Sequence, residues 1–99
     1  MDVATLPQPL AFEWDDNNQN KIFLKHGILK TEAEQAFFNR RLYWFDAIHS
    51  HKEDRYNLLG ITDLGKILFI TFTLRKNKVR VISARIGDKR EREKYAKET

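Results

Sequence analysis

The chain has 99 residues, enough for one small domain with a single modest core and too few for two. Hydrophobic residues make up 41% of it, which argues against disorder, and the absence of cysteine excludes a disulfide framework and a thiolate metal site. The formal net charge is +4, and the excess of Lys and Arg lies in residues 51–99. This cationic half favours a polyanionic partner, nucleic acid first, although a solvated basic surface has the same composition.

The first residues, MDVATLPQPLA, contain two prolines and no periodic pattern. We expect an extended or disordered lead-in at residues 1–11, followed by a single domain at residues 12–99. The lead-in lacks the basic-then-apolar order of a signal peptide, and no apolar run reaches the length that spans a membrane. We therefore expect a cytoplasmic protein without membrane association.

A short edge strand and a helix are predicted next. The strand is Phe12–Trp14, and Asp15 or Asp16 can cap a helix that runs to about Lys25. Gly27 suits a left-handed cap at the end of this helix, with His26 in the last turn. The residues expected to face the core are Ile22 and Phe23.

A second short helix follows, because Thr31 and Glu34 have the spacing of a capping box. Its expected buried residues are Ala33, Ala36 and Phe37. Residues 42–45 predict a strand, residues 46–53 a polar loop, and residues 54–62 another strand that ends in a turn at residues 63–65.

Residues 66–86 (KILFITFTLRKNKVRVISARI) predict a β-hairpin that turns at Lys76-Asn77. The first strand has an apolar face, formed by Leu68, Ile70, Phe72 and Leu74. Strict alternation in the second strand places Arg80, Ile82, Ala84 and Ile86 on one side and Val79, Val81, Ser83 and Arg85 on the other. Arg85 then lies beside Ser83 on the less apolar side, which suits a positively charged binding surface.

After Gly87, Asp88 and Glu91 form another capping box, which opens a charged helix through Tyr95 to near the end. The predicted order is β-α-α-β-β-β-β-α. This order indicates an α+β fold, with a small antiparallel sheet and helices packed on one face.

Several short motifs occur together in a fixed order. They are FEWD at 12–15, KHGI at 25–28, EAE at 32–34, FFN at 37–39, HS at 49–50, ExRY at 53–56, RVISAR at 80–85 and ER at 91–92 with Tyr95. As a set they resemble the BrnT family, toxins of type II toxin–antitoxin pairs with a RelE-like ribonuclease fold. The resemblance covers residues 12–95.

The resemblance implies an endoribonuclease toxin that cleaves RNA without a metal or other cofactor. In RelE-like enzymes the ribose 2′-hydroxyl attacks the adjacent phosphate, which requires a base, cations and an acid. Arg55 and Arg85 can bind the phosphate, Glu53 or His49 can act as the base, and Tyr95 or a histidine can supply a proton. The predicted RNA-binding residues are Lys25, His26, Arg80, Lys89 and Arg92.

Alternatives remain open for several of these residues. Arg55 can form a structural ion pair with Glu53 or Asp54, and Arg80 can extend outward from the end of the sheet. Tyr95 can serve as a packing anchor. His49 and His51 could suggest a metal pair, but without a third ligand at a recognisable spacing a surface loop is the better interpretation. Both tryptophans could stack on bases, but core packing is the stronger expectation for them.

The implied partners are an RNA substrate and a cognate antitoxin, a small BrnA-like DNA-binding protein. We expect a hetero-oligomer with the antitoxin, which contacts operator DNA only through that complex, and inhibition of translation and growth until the antitoxin binds. The alternative function is a non-catalytic module that binds an antitoxin or nucleic acid through its basic half.

Overall fold

The computed structural model describes residues 6–99 and contains three helices and four strands in this part of the chain. In chain order they are α1 (Asp16–His26), α2 (Lys30–Phe38), β1 (Arg41–Phe45), β2 (Tyr56–Ile61), β3 (Ile67–Arg75), β4 (Lys78–Ile86) and α3 (Lys89–Glu98). The strands form one sheet in the order β1-β2-β3-β4, and every neighbouring pair is antiparallel. The predicted α+β fold with a small antiparallel sheet is confirmed. No helix in residues 6–99 is long and apolar enough to cross a membrane.

The predicted first strand is reduced to one bridge. Phe12 lies parallel to Val79, held by hydrogen bonds from Glu13 N to Val79 O and from Val79 N to Ala11 O, each 2.8 Å. The chain enters α1 directly afterwards, so no longer ladder can form. Within the predicted lead-in, Leu6 is buried in the core, whereas residues 1–5 lie outside the described part. A domain boundary at residue 12 remains a prediction.

The limits of α1 agree with the prediction. Asp15 Oδ1 accepts a hydrogen bond from Asn18 N (3.1 Å), and Asn18 Oδ1 accepts one from Asp15 N (2.8 Å). Gly27 ends the helix with φ of 69°. Ile22 is buried as expected, but Phe23 is 51% exposed, so its predicted core position is wrong. Asn18 and Ile22 are four residues apart and face the core together, whereas Phe23 is turned away from that line.

The predicted capping box of α2 is wrong, because the helix begins at Lys30, before Thr31. Leu29 N donates to Glu32 Oε1 (3.0 Å), and Glu34 instead accepts a hydrogen bond from Trp14 Nε1 (2.8 Å). The helix packs closely on β2 at Gly60, where an added Cβ would lie 2.2 Å from the carbonyl oxygen of Ala36. The predicted buried residues, Ala33, Ala36 and Phe37, are confirmed.

The sheet has two different faces. The face toward α1 and α2, which we call the packed face, includes the fully buried Leu58, Leu68, Ile70, Phe72, Val79, Val81 and Ala84. The opposite face, which we call the open face, has two rows of side chains in register across the strands. One row is Trp44–Asn57–Thr71–Ser83, and the other is Leu42–Leu59–Phe69–Arg85.

The main hairpin forms as predicted, with Lys76 and Asn77 at positive φ of 50° and 63°. Its pairing shifts by one residue, because Thr71 pairs with Ser83 but Phe72 pairs with Val81. Ile82 is therefore an extra, unpaired residue, a β-bulge.

The bulge overturns the strict alternation expected for β4. Val79 and Val81 lie on the packed face with Ala84 rather than with Ser83 and Arg85. Arg80, expected on the apolar side with Ala84, pairs with Thr73 and falls on the open face with Ser83 and Arg85.

The last helix lies against one end of the open face. It begins after Asp88, and the predicted capping box is confirmed by Asp88 N to Glu91 Oε1 (2.8 Å) and Glu91 N to Asp88 Oδ1 (2.9 Å). Glu91 contacts Arg85, and Leu59 of the same row is fully buried although it lies outside the main core. The helices α1 and α2 thus share the packed face, and α3 covers part of the open face.

Candidate active site

The part of the open face that α3 leaves uncovered is a groove of about 600 Å³. Its floor is the row of Trp44, Asn57, Thr71 and Ser83, bordered by the apolar side chains of Ile48, Phe69 and Ile82. Basic and titratable residues from two segments also line it: Lys21 from α1, and Asp46, His49 and Arg55 from the loop between β1 and β2. We call this site the groove.

The loop between β1 and β2 is closed by its own hydrogen bonds. Asp46 N donates to Arg55 O (2.8 Å), Ser50 Oγ donates to Asp46 O (2.6 Å), and Arg55 N donates to Ser50 Oγ (2.8 Å). Ser50 thereby ties the two ends of the loop together. This closure places His49 and Arg55 beside the same groove.

His49 and Asp46 form a hydrogen-bonded pair. His49 Nδ1 lies 2.8 Å from Asp46 Oδ2, and the backbone N of His49 donates to Asp46 Oδ1 (3.3 Å). The Asp46 side chain is 9% exposed, whereas the His49 side chain is 64% exposed. An ionised carboxylate can only accept, so Nδ1 carries the hydrogen and Nε2 of the neutral ring is left as a base.

The environment of Asp46 keeps it ionised. Burial by itself raises its pKa, but hydrogen bonds from the side chain and backbone of His49 and from the side chain of Asn57 outweigh burial and hold the pKa below 3.8. Thr71 Oγ1 in turn donates to Asn57 Oδ1 (2.9 Å). The two hydrogen bonds to Asp46 thus orient the imidazole of His49, and the Thr71–Asn57 pair lines the same groove.

Arg55 is the arginine of the groove. Across residues 6–99, no carboxylate lies within 4.0 Å of its guanidinium, and the predicted alternative of an ion pair with Glu53 or Asp54 is absent there. Glu53 instead pairs with Arg75 at 3.2 Å. The charge of Arg55 is therefore available to an anion in the groove.

Arg85 is neutralised. Its guanidinium makes two hydrogen bonds to Glu91, of 2.7 and 2.8 Å, and lies 4.5 Å from the centre of the Phe69 ring. The hydrogen bond to Glu91 raises the pKa of Arg85 further, against the effect of burial. Arg85 does not line the groove, and its row is four residues along β2 from Arg55, about 13 Å at the usual rise of a strand. The two arginines lie on one face but do not converge.

Arg80 is also engaged in ion pairs. Its Nη1 lies 3.0 Å from both Glu13 and Asp15, and its side chain is only 14% exposed. The hydrogen bond to Asp15 raises the pKa of Arg80. This cluster joins the start of α1 to β4, which is a structural role.

The other predicted site residues lie away from the groove. Tyr95 is buried and donates from its hydroxyl to Arg40 O (2.8 Å), as expected of a packing anchor. Arg92 Nη1 donates to Gly87 O (2.7 Å). The remaining three are exposed: Lys25 and His26 at the end of α1, and Lys89 at the start of α3. Lys21, one turn before Lys25, lines the groove and was missed.

Asp46 was also missed, although its spacing of three residues from His49 within the loop is a usable signal. The row of Asn57, Thr71 and Ser83 has no such signal, because it depends on the register of three strands. In residues 6–99 no group of three or more His, Cys, Asp or Glu is placed to hold a metal ion.

Comparison with known proteins connects this arrangement to a family. Residues 14–91 match the family described as "Ribonuclease toxin, BrnT, of type II toxin-antitoxin system". The fold is similar to the crystal structure of the Brucella abortus ribonuclease toxin BrnT, with a TM-score of 0.58 and 17% sequence identity over 81% of this chain and 99% of that chain. At this identity the likeness concerns the fold alone. No curated protein matches the sequence.

Proposed function

Since the chain belongs to the BrnT family of ribonuclease toxins from type II toxin–antitoxin systems, we propose that it is an endoribonuclease whose active site is the groove. One observation carries this proposal: the His49–Asp46 pair lines the same groove as Arg55, whose guanidinium has no carboxylate within 4.0 Å among residues 6–99. A fixed imidazole and a free guanidinium at one site are suited to the transfer of a proton and the binding of a phosphate.

The proposed reaction needs no metal. Nε2 of His49 takes the proton of a ribose 2′-hydroxyl, whose oxygen attacks the adjacent phosphorus. Arg55 and Lys21 stabilise the charge that develops on the phosphate oxygens. His51 lines an adjoining pocket with His49 and Arg55, so a second imidazole is available to protonate the leaving 5′ oxygen. The products are a 2′,3′-cyclic phosphate and a free 5′-hydroxyl. Arg85, Glu53 and Tyr95 receive no role in this scheme.

In the cell, we propose that cleavage of RNA in the cytoplasm stops translation and growth until the antitoxin binds. Membership of a type II family implies an antitoxin partner. We propose a small BrnA-like DNA-binding protein for that role, in a hetero-oligomer that reaches operator DNA through the antitoxin. Induced expression with and without the neighbouring open reading frame tests this: arrest that the neighbour relieves is the expected result.

The second candidate is a non-catalytic module that binds an antitoxin or nucleic acid. The separation of Arg55 from Arg85, and the pairing of Arg85 and Arg80 with carboxylates, favour it over an enzyme built on all three arginines. The two candidates differ in one measurable respect: the enzyme cleaves RNA, and the binding module leaves it intact.

The test of the enzyme is cleavage of single-stranded RNA by the purified protein in the presence of EDTA. His49→Gln and Arg55→Ala should each lower the rate at least about a hundredfold, since each removes a group that acts in the transition state. His26→Gln and Arg90→Ala are the matched controls, because both residues are exposed and lie away from the groove. Both controls should cleave at the wild-type rate.

A matching RNA with a single 2′-deoxyribose at the cleavage site should resist the enzyme. Cleavage of that substrate, or loss of all cleavage in EDTA, would overturn the proposed mechanism. Intact RNA after incubation with folded wild-type protein would overturn the enzyme and leave the binding module.

A further inference from the structure

We infer that the row Trp44–Asn57–Thr71–Ser83 is a nucleobase-binding subsite, in which a base of single-stranded RNA stacks on the indole of Trp44. The choice of RNA as the ligand rests on the proposed function. The inference adds which part of the RNA the groove holds beside the phosphate at His49 and Arg55.

The two tryptophans differ in their surroundings. Trp14 packs against the main core, and its Nε1 donates to Glu34 Oε2 (2.8 Å). Trp44 lies outside that core, lines the groove, and meets Phe69 edge-on with the ring centres 6.1 Å apart and the planes at 61°. Its place on the open face is therefore not explained by packing of the main core.

The groove has the size and lining of a ligand site. Its volume of about 600 Å³ lies within the range of pockets for small molecules. A nucleobase needs an aromatic surface for its face and polar groups for its edge. The row supplies the aromatic surface at Trp44 and a hydroxyl at Ser83. Thr71 Oγ1 donates to Asn57 Oδ1, which leaves the lone pairs of Thr71 Oγ1 and the amide NH2 group of Asn57 to meet the edge of a base.

Charge beside the aromatic rings favours a nucleotide over an uncharged aromatic ligand. The Lys94 Nζ lies 5.4 Å from the centre of the Trp44 ring, and Lys21 lines the groove. Among residues 6–99, the other ion pair of Lys94 is an exposed one with Glu98 in the same helix, which is a weak interaction. An aromatic ring that takes the base, with cations near the backbone, is the arrangement that binds single strands without sequence preference.

The presence of two tryptophans permits a direct test. Trp14→Phe leaves Trp44 as the sole indole, and Trp44→Phe leaves Trp14. Each protein is titrated with a short single-stranded RNA that carries 2′-O-methyl riboses, so that binding is measured without cleavage. The fluorescence of Trp14→Phe should be quenched to saturation, and that of Trp44→Phe should stay unchanged.

Binding is measured in parallel by the anisotropy of a labelled copy of the same RNA. Trp44→Leu should weaken binding about tenfold, from the loss of one stacked base, whereas Phe38→Leu should not. Phe38 is the matched control because it is an aromatic residue that is 61% exposed and lies outside the groove.

An abasic oligomer of the same length separates the base from the phosphates. It should bind through its charge and leave the indole fluorescence of Trp14→Phe unquenched. Equal quenching by the abasic oligomer, or anisotropy that reports RNA binding without quenching of Trp44, would overturn the subsite. So would the absence of any RNA binding.

The subsite and the proposed function fail separately. The fluorescence of Trp44 could be quenched by RNA in a folded protein that leaves unmodified RNA intact. That result would support the subsite and overturn the ribonuclease. Cleavage of RNA without quenching would keep the ribonuclease and remove the subsite.

Discussion

The two faces of the sheet use the same four strands for different purposes. On the packed face, Leu58, Ile70 and Phe72 are fully buried beneath α1 and α2. On the open face, next to these residues in sequence, Asn57 and Thr71 carry hydrogen-bonding groups that line the groove. The packed face is closed by apolar contact, and the open face keeps polar groups oriented by hydrogen bonds to one another.

The comparison shows which contacts hold the groove residues in position in this small domain. The four floor residues of the groove lie outside the main core, but each is attached to a strand whose other side packs against that core. The strands beneath the groove are therefore held by apolar contacts on their other side, in addition to the hydrogen bonds that the groove residues make themselves. A change on the packed face should alter stability, and a change on the open face should alter chemistry.

The largest expected effect is a loss of stability caused by a substitution on the packed face. Phe72→Ala should lower the free energy of unfolding by about 3–5 kcal/mol. The buried ring of Phe72 packs against Phe37 and Tyr56, and its removal leaves a cavity. Phe69→Ala, on the same strand but on the open face, is the matched control and should cost clearly less. Urea denaturation measures both, and equal losses would contradict the division into two faces.

The second largest expected effect is on the rate of the proposed RNA cleavage rather than on stability. Asp46→Asn should lower kcat for RNA cleavage by about ten- to a hundredfold with little change in KM, because an amide can donate to Nδ1 and favour the wrong tautomer of His49. Asp54→Asn, in the same loop but exposed, should behave as the wild type. A rise in KM with unchanged kcat would show that Asp46 does not position a catalytic base.

The smallest effect concerns the end of the open face that α3 covers. The hydrogen bond from Arg85, against the effect of burial, lowers the pKa of Glu91 below 4.5. The ionised form is thus favoured in the folded state. Its contribution is present above about pH 4.5 and is lost as the pH falls through the folded-state pKa.

Glu91→Gln should therefore cost about 1 kcal/mol at neutral pH, allowing for the partial exposure of Arg85, and less at low pH. Glu98→Gln, which removes an exposed pair within α3, is the control and should cost a few tenths of a kcal/mol. Urea denaturation across the acid range measures both, and a difference that grows on acidification would reverse the sign argued here.

Local signals in the sequence predicted the elements whose ends are set by neighbouring residues. Asp15 and Gly27 delimit α1, Asp88 opens α3, and Lys76-Asn77 forms the hairpin turn. The prediction for α2 failed because two glutamates compete at that end of the helix. The capping hydrogen bond forms between Leu29 and Glu32, and not at the predicted spacing from Thr31 to Glu34.

Local sequence signals do not predict contacts between residues that are far apart in the chain. An extra residue in β4 leaves no mark in an alternating pattern, so Arg80 was placed on the wrong face. The partner of Arg85 depends on where α3 lies, and Trp44 was assigned to the core because a strand sequence does not say which face is covered. The resemblance named His49 and Arg55, and both line the groove, but their catalytic roles stay predictions.

The β-bulge gives this small protein a position with unusual freedom to vary. Ile82 has no partner across β3, so neither face of the sheet depends on it for register, yet its side chain lines the groove. A substitution at Ile82 should therefore change the shape of the groove without altering the pairing of β3 and β4. Deletion of Ile82 would restore a regular strand and remove the one groove residue that is free of cross-strand pairing with β3.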